Sequence, residues 1–160
     1  MRVLMLTWEY PPNVVGGLGK HVGELAPALA RCNLEAHVVV PSFGHVQKEE
    51  TVGGATVHRV VSPAGTCSDF YVRAFNTNLA LQGASEQIVA REGPFDLIHC
   101  HDWLTFFAAR ELKLAYKLPL LATIHATERG RGRGYLHSEQ SYRIDHLLGQ
   151  LNYEAWRIIS

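Results

Sequence analysis

The chain has 160 residues, a length that suits one domain with a substantial core. Its 15 basic and 15 acidic side chains cancel, so no global field favours nucleic acid or an anionic membrane, and an apolar share of 47% is ordinary for a globular protein. No apolar stretch approaches a membrane span, residues 2–7 are too short for a signal-peptide core, and Cys32, Cys67 and Cys100 are odd in number without a paired spacing; a reducing, cytoplasmic setting is expected.

In chain order, residues 2–7 read as a buried strand. Leu18, Val22, Leu25, Ala26 and Leu29 recur at helical spacing, which predicts an amphipathic helix over 17–31, with Asn33 as a left-handed cap. Residues 36–40 form the next strand, stopped by Pro41. Gly53-Gly54 marks a turn, and 55–61 alternates like a strand. Residues 70–91 are helical by composition, with a break near Gly83. A strand over 95–100, a helix over 103–116, a strand over 119–124 and a helix over 138–154 follow, and 156–159 begins one more strand. Strands alternating with helices imply right-handed crossovers and a parallel α/β sheet with the first strand central. Arg129-Gly130-Arg131-Gly132-Arg133-Gly134 is too glycine-rich for regular structure and reads as a mobile, solvated loop, although its arginines could also grip phosphate. The apolar ending at Ile158-Ile159 suggests a longer protein cut at a domain edge.

Three polar clusters fall at expected strand ends. Ligands bind beyond the carboxyl ends of the strands in open α/β sheets, so groups distant in sequence can converge there. Gly16-Gly17-Leu18-Gly19 opens the first helix, whose free N–H groups suit an anion. The bland alternative is a loop-to-helix turn. The stretch is neither a dinucleotide fingerprint, since Val22 stands where the third glycine belongs, nor a P-loop, since His21 follows Gly19-Lys20. In His99-Cys100-His101-Asp102, His99 and His101 share one face of the strand and no second cluster has zinc spacing, so no metal is expected. Asp102 can cap the helix that follows, bind ligand, or do both. His125 ends an apolar strand before a polar turn, a placement that favours a site residue over a core one. Glu9 either faces the same cleft or is a solvated loop carboxylate. No Gly-x-Ser-x-Gly elbow supports serine hydrolysis.

Thr7-Trp8-Glu9-Tyr10-Pro11-Pro12, Val15-Gly16-Gly17-Leu18-Gly19, the segment Phe95-Asp96-Leu97-Ile98-His99-Cys100-His101-Asp102-Trp103 and Thr123-Ile124-His125-Ala126-Thr127-Glu128 occur in this order. With them the chain resembles, end to end, the N-terminal half of the retaining glycogen/starch-synthase-like glycosyltransferases of family 4. The resemblance implies a GT-B fold, two Rossmann-like domains across a cleft, of which residues 1–160 would be the N-terminal, acceptor-binding one and the C-terminal nucleotide-sugar domain would be absent. It implies transfer of a hexosyl unit, expected to be glucosyl, from a nucleotide-sugar such as UDP- or ADP-glucose to an oligo- or polysaccharide, without cofactor or metal. By the same resemblance Gly16 and Gly17 would meet the donor diphosphate, His125 the donor sugar near its reacting carbon, and Asp102 the sugar and acceptor. Glu9, His101 and Thr127 are further candidate substrate contacts. The implied mechanism is front-face attack, with the leaving phosphate taking the acceptor proton. Val14 departs from the Lys that glycogen and starch synthases often carry two residues before the glycine pair. The fragment alone is expected to be inactive. A non-catalytic carbohydrate- or nucleotide-binding module of the same fold is the competing reading; a dinucleotide oxidoreductase is disfavoured by the missing fingerprint.

Overall fold

The computed structural model describes residues 1–42, 48–62 and 68–160. The elements are β1 (Arg2–Leu6), α1 (Gly17–Arg31), β2 (Glu35–Ser42), β3 (Lys48–Val52), β4 (Ala55–Val61), α2 (Phe70–Glu92), β5 (Leu97–His101), a 3-10 turn (Trp103–Thr105), α3 (Phe106–Tyr116), β6 (Leu120–Thr123), α4 (Glu128–Arg131), α5 (Glu139–Glu154) and β7 (Arg157–Ile159). They build one seven-stranded sheet in the order β3-β4-β2-β1-β5-β6-β7. All neighbours run parallel except β3, which is antiparallel to β4. β1 is central, as its uninterrupted apolar run predicts for a strand covered on both faces.

Side-chain alternation sends β1 into two cores. Leu4 and Leu6 pack with Leu81 and Ile88 of α2, Phe106 and Leu112 of α3, and Leu147, Leu148 and Leu151 of α5. Val3 and Met5 pack on the other face with Val22 and Ala26 of α1. The helices are therefore distributed over both faces of a Rossmann-like α/β sheet.

Several boundaries fall where sequence places them. α1 spans Gly17–Arg31, and Asn33 follows it at φ 60°, the left-handed conformation that ends helices. β4 spans Ala55–Val61. α5 is closed by a reciprocal capping box between Ser138 and Ser141.

Four expectations need correction. β2 runs through Pro41 to Ser42. Val39 turns its carbonyl to Thr7 while Ser42 bonds toward Ser62, so Pro41 turns its missing N–H to the side where β1 has already ended. β3 carries three charges in five residues and so shows no apolar pattern; it is an edge strand, made by the Gly53-Gly54 turn at φ 56° and 88°. A side chain at Gly53 would sit 2.7 Å from Pro27 Cβ, so the turn also needs glycine to pack on α1. α2 continues unbroken through Gly83, because Leu81, Ser85 and Ile88 bury one side of the helix around it. Finally, the Arg/Gly run is not wholly irregular: Glu128–Arg131 forms α4, capped by Thr127 Oγ1 accepting from Gly130 N–H at 2.9 Å. Arg129 then makes a forked ion pair with Asp145 of α5. Cys67 lies outside the described residues, while Cys32 and Cys100 are free thiols.

Candidate active site

β1, β5 and β6 are adjacent and parallel, so their carboxyl ends share one edge of the sheet. The segments that leave them carry Glu9, Asp102 and His125.

Beyond β1, buried Thr7 donates its hydroxyl to Glu9 O at 3.0 Å and turns the chain. Glu9 Oε2 then accepts the N–H groups of Val15 at 2.9 Å and Gly16 at 3.0 Å. Gly16 is the N-cap of α1 in extended backbone and supplies no side-chain cap. A Cβ at Gly16 or Gly17 would meet nothing within 4 Å, so both backbones face open space. Gly19 is different: a Cβ there would lie 2.8 Å from Glu9 Cβ and 3.0 Å from Val14 Cγ2. Gly23 stands equally close to Pro11, at 2.8 Å. These two glycines, one turn apart on α1, let the loop cross the helix. Sequence reasoning passed over Gly23, whose spacing of four from Gly19 is the only signal.

At the end of β5, Asp102 is buried and adopts φ 66°, ψ 175°. That conformation costs a non-glycine residue on the order of 1–3 kcal/mol, and surrounding bonds hold it. Asp102 N–H donates to Thr123 O at 2.8 Å, and its Oδ1 accepts from Trp103 N–H at 3.0 Å. The following turn is tied to β1 by Thr105 Oγ1, which donates to Leu6 O at 3.2 Å. Asn78 of α2 locks it further, donating to Leu104 O and accepting from Ala108 N–H. Both readings of Asp102 are thus compatible: it caps the turn and sits on the rim.

The histidines form one cluster. The His99 and His101 rings lie 4.1 Å apart between centroids and tilted by 33°, on the same face as the alternation requires. His99 Nε2 bonds Thr123 Oγ1 at 2.8 Å. His101 Nδ1 lies 3.3 Å from His125 Nε2. His21, one turn into α1, adds a fourth ring 5.1 Å from His125 and 5.7 Å from His101. His21 was missed as a site residue, since only the packing of α1 over the sheet edge brings it there. His101, expected to touch substrate, is fully buried behind His125. Thr127 spends its hydroxyl on the α4 cap.

Burial disfavours the charged form of His99, His101 and His125. It lowers His99 to about 4, helped by His21 and His125. It pushes His101 well down, helped by the other three rings. It also lowers His125, with His21 adding to the effect and Glu9 opposing it. Asp102 is raised by burial against the pull of the Trp103 N–H and the Arg131 charge. The buried Cys100 thiol is pushed up to about 12, so it is no nucleophile at neutral pH. Among the described residues no group of three or more His, Cys, Asp or Glu is arranged to hold a metal ion, and no helix is long and apolar enough to cross a membrane.

The sequence matches the model of Glycosyltransferase Family 4 over residues 15–160. It is 33% identical to an uncharacterized glycosyltransferase of Methanocaldococcus jannaschii, over 100% of this chain and 40% of that protein. It is 34% identical to a glycogen synthase of Mycobacterium tuberculosis, over 90% of this chain and 38% of that protein. Sucrose-phosphate synthase from Thermosynechococcus elongatus shares the fold, with a TM-score of 0.77 at 18% identity over 98% of this chain and 41% of that one. The chain spans about two fifths of the length of these relatives. An ordered set of rim motifs on a Rossmann-like sheet of GT-B type, with a family match over nearly its whole length, means that the chain belongs to glycosyltransferase family 4.

Proposed function

We propose that the full-length protein is a retaining hexosyltransferase, similar to glycogen synthase, that moves a glucosyl unit from UDP- or ADP-glucose to an oligo- or polysaccharide acceptor. The observation that carries this reading is the rim itself: the glycine loop, Asp102 and His125 meet at the ends of three adjacent strands in a family 4 chain. A second, nucleotide-sugar-binding domain would complete the site, and residues 1–160 alone would turn over negligibly.

The chemistry assigns each group a task. Departure of the nucleotide places negative charge on the leaving phosphate. Gly16 gives its N–H to Glu9 and leaves room for close approach, and the amides of α1 from Gly17 onward lie at the positive end of a 15-residue helix and stabilise that anion. His125, neutral and half-buried, donates a hydrogen bond to the donor sugar. Asp102 lies beside the reacting carbon and the acceptor, where a carboxylate favours the oxocarbenium-like transition state. The acceptor hydroxyl oxygen forms the new bond to the anomeric carbon on the face that the phosphate leaves. The old carbon–oxygen bond breaks with its electron pair on the phosphate, and the acceptor proton passes to that oxygen. Glu9 organises the loop, and Thr127 holds α4 beside the site.

Incubating the full-length protein with UDP- or ADP-glucose and malto-oligosaccharides, and following product and anomeric configuration by NMR, tests the proposal. An α-linked, chain-extended product is expected. Nucleotide-sugar binding without transfer to any carbohydrate would instead favour the non-catalytic module.

A further inference from the structure

His101 sits between the strand and His125 with none of its surface exposed. Its ring is tilted by 33° against His99 and stacks on His125 at an interplanar angle of 28°. One nitrogen, Nδ1, faces His125 Nε2 at 3.3 Å. The other, Nε2, is buried and has no hydrogen-bond partner among the described residues.

This arrangement discriminates between two proton placements. In the first, His125 carries its proton on Nε2 and donates to His101 Nδ1. A neutral His101 must then carry its own proton on Nε2, as a buried N–H with no acceptor. In the second, His101 carries the proton on Nδ1 and donates to His125 Nε2, and its own Nε2 is left as a bare lone pair. Buried N–H groups without an acceptor are rarer in folded proteins than acceptors with an unfilled lone pair. A doubly protonated His101 would place a charge with no exposed surface among three other imidazoles, which is costlier than either. The second placement is therefore the stable one.

It follows for His125 that one nitrogen is committed as an acceptor and the only remaining N–H is at Nδ1. We infer that His101 is a positioning residue which holds His125 as its Nδ1–H tautomer, so that His125 meets the bound sugar as a neutral hydrogen-bond donor. His101 itself touches no substrate. The tautomer assignment stands on the geometry, and its catalytic meaning rests on the proposed sugar transfer. A hydrogen bond on one ring nitrogen setting the role of the other is a general device of histidine sites.

The test uses the full-length protein labelled with 15N at histidine. Two-bond 1H–15N correlation spectra distinguish the two neutral tautomers directly. His125 is expected as the Nδ1–H form, assigned by its loss in His125→Ala. In His101→Leu, which removes the donor, the Nδ1–H preference should be lost and kcat should fall by about tenfold or more, with KM for the nucleotide-sugar changing less. In His101→Asn, whose amide N–H can stand near the Nδ1 position, the Nδ1–H form and most of kcat should return. A wild-type His125 found as the Nε2–H tautomer overturns the inference, as does an unchanged tautomer in His101→Leu. If His101→Leu does not fold, the wild-type spectrum and His101→Asn still decide. Absence of any sugar transfer would count against the proposed activity, while the spectra would still report the tautomer.

Discussion

Glu9 Oε2 accepts the backbone N–H of Gly16 at 3.0 Å, so a side chain of the protein already occupies one of the donors at the mouth of α1. The same oxygen takes the N–H of Val15. A carboxylate at a helix start is favoured by the dipole there, and here it also shapes the loop. The amides left free of that carboxylate begin at Gly17, and in the proposed reaction these would meet the donor diphosphate.

Replacing Glu9 should therefore loosen the loop before it frees a donor. Glu9→Ala removes two charge-assisted bonds and should cost about 1–2 kcal/mol of stability, with KM for the nucleotide-sugar raised several-fold in the full-length enzyme. Glu9→Gln keeps an acceptor oxygen and should lose about half as much. Chemical denaturation and steady-state kinetics measure both. A lower donor KM in Glu9→Ala would mean that Glu9 competes with the diphosphate instead of organising its site.

The glycines of the loop separate packing from binding. Gly19→Ala drives a methyl into Glu9 Cβ at 2.8 Å and should destabilise the protein by about 1–3 kcal/mol. Gly17→Ala meets nothing within 4 Å and lies in a helix, so stability should hold or rise. If the diphosphate approaches that backbone, Gly17→Ala should nevertheless weaken donor binding. A Gly17→Ala enzyme with unchanged donor affinity would remove Gly17 from the site.

His125 and Asp102 should respond differently to truncation. His125→Ala in the full-length enzyme should lower kcat by about a hundredfold or more with little change in Tm, because the half-buried ring serves the ligand more than the core. Asp102→Ala should lower kcat and also cost roughly 1 kcal/mol, since the carboxylate caps the Trp103–Thr105 turn. Kinetics paired with thermal melts distinguish the two. Should His125→Ala melt the protein while the folded fraction turns over normally, His125 is a core residue.

Acid should destabilise the chain well above the usual carboxylate range. His99, His101, His125 and His58 are all lowered in the fold, first by burial. Between the folded and unfolded values the unfolded chain binds more protons, so stability is full above about 6.5 and falls as pH drops. His99 alone, moved from 6.5 to about 4, corresponds to roughly 3 kcal/mol lost across that window. The raised Asp102 opposes this in part, because it binds its proton more readily when folded. Urea unfolding at pH 7.5 and 5.0 should show the loss, and His99→Gln should flatten it. Equal stability at the two pH values would contradict the burial of His99 and His101 in uncharged form.

The run of apolar strands and amphipathic helices was legible because burial on both faces leaves continuous apolar segments, and a 3.6-residue period leaves stripes. Hence α1 and β4 could be bounded from sequence, and the order of polar motifs was enough to suggest the family and the shared rim. β3 was not legible, because a charged edge strand is stabilised by its partner β4 and by a turn packed on Pro27, neither visible locally. Gly83 and Pro41 look like breaks in the sequence because propensity is local, while the packing of α2 and the early end of β1 are not. At the site, sequence supplied Glu9, Gly16, Asp102 and His125. Only tertiary structure decided that Glu9 fills the Gly16 N–H, that Asp102 bends backward at positive φ, and that His21 and His101 join His125. Residue types and strand ends follow from the chain's own pattern. Which nitrogen faces which partner depends on contacts between residues up to a hundred positions apart, and those exist only once the sheet has closed its register.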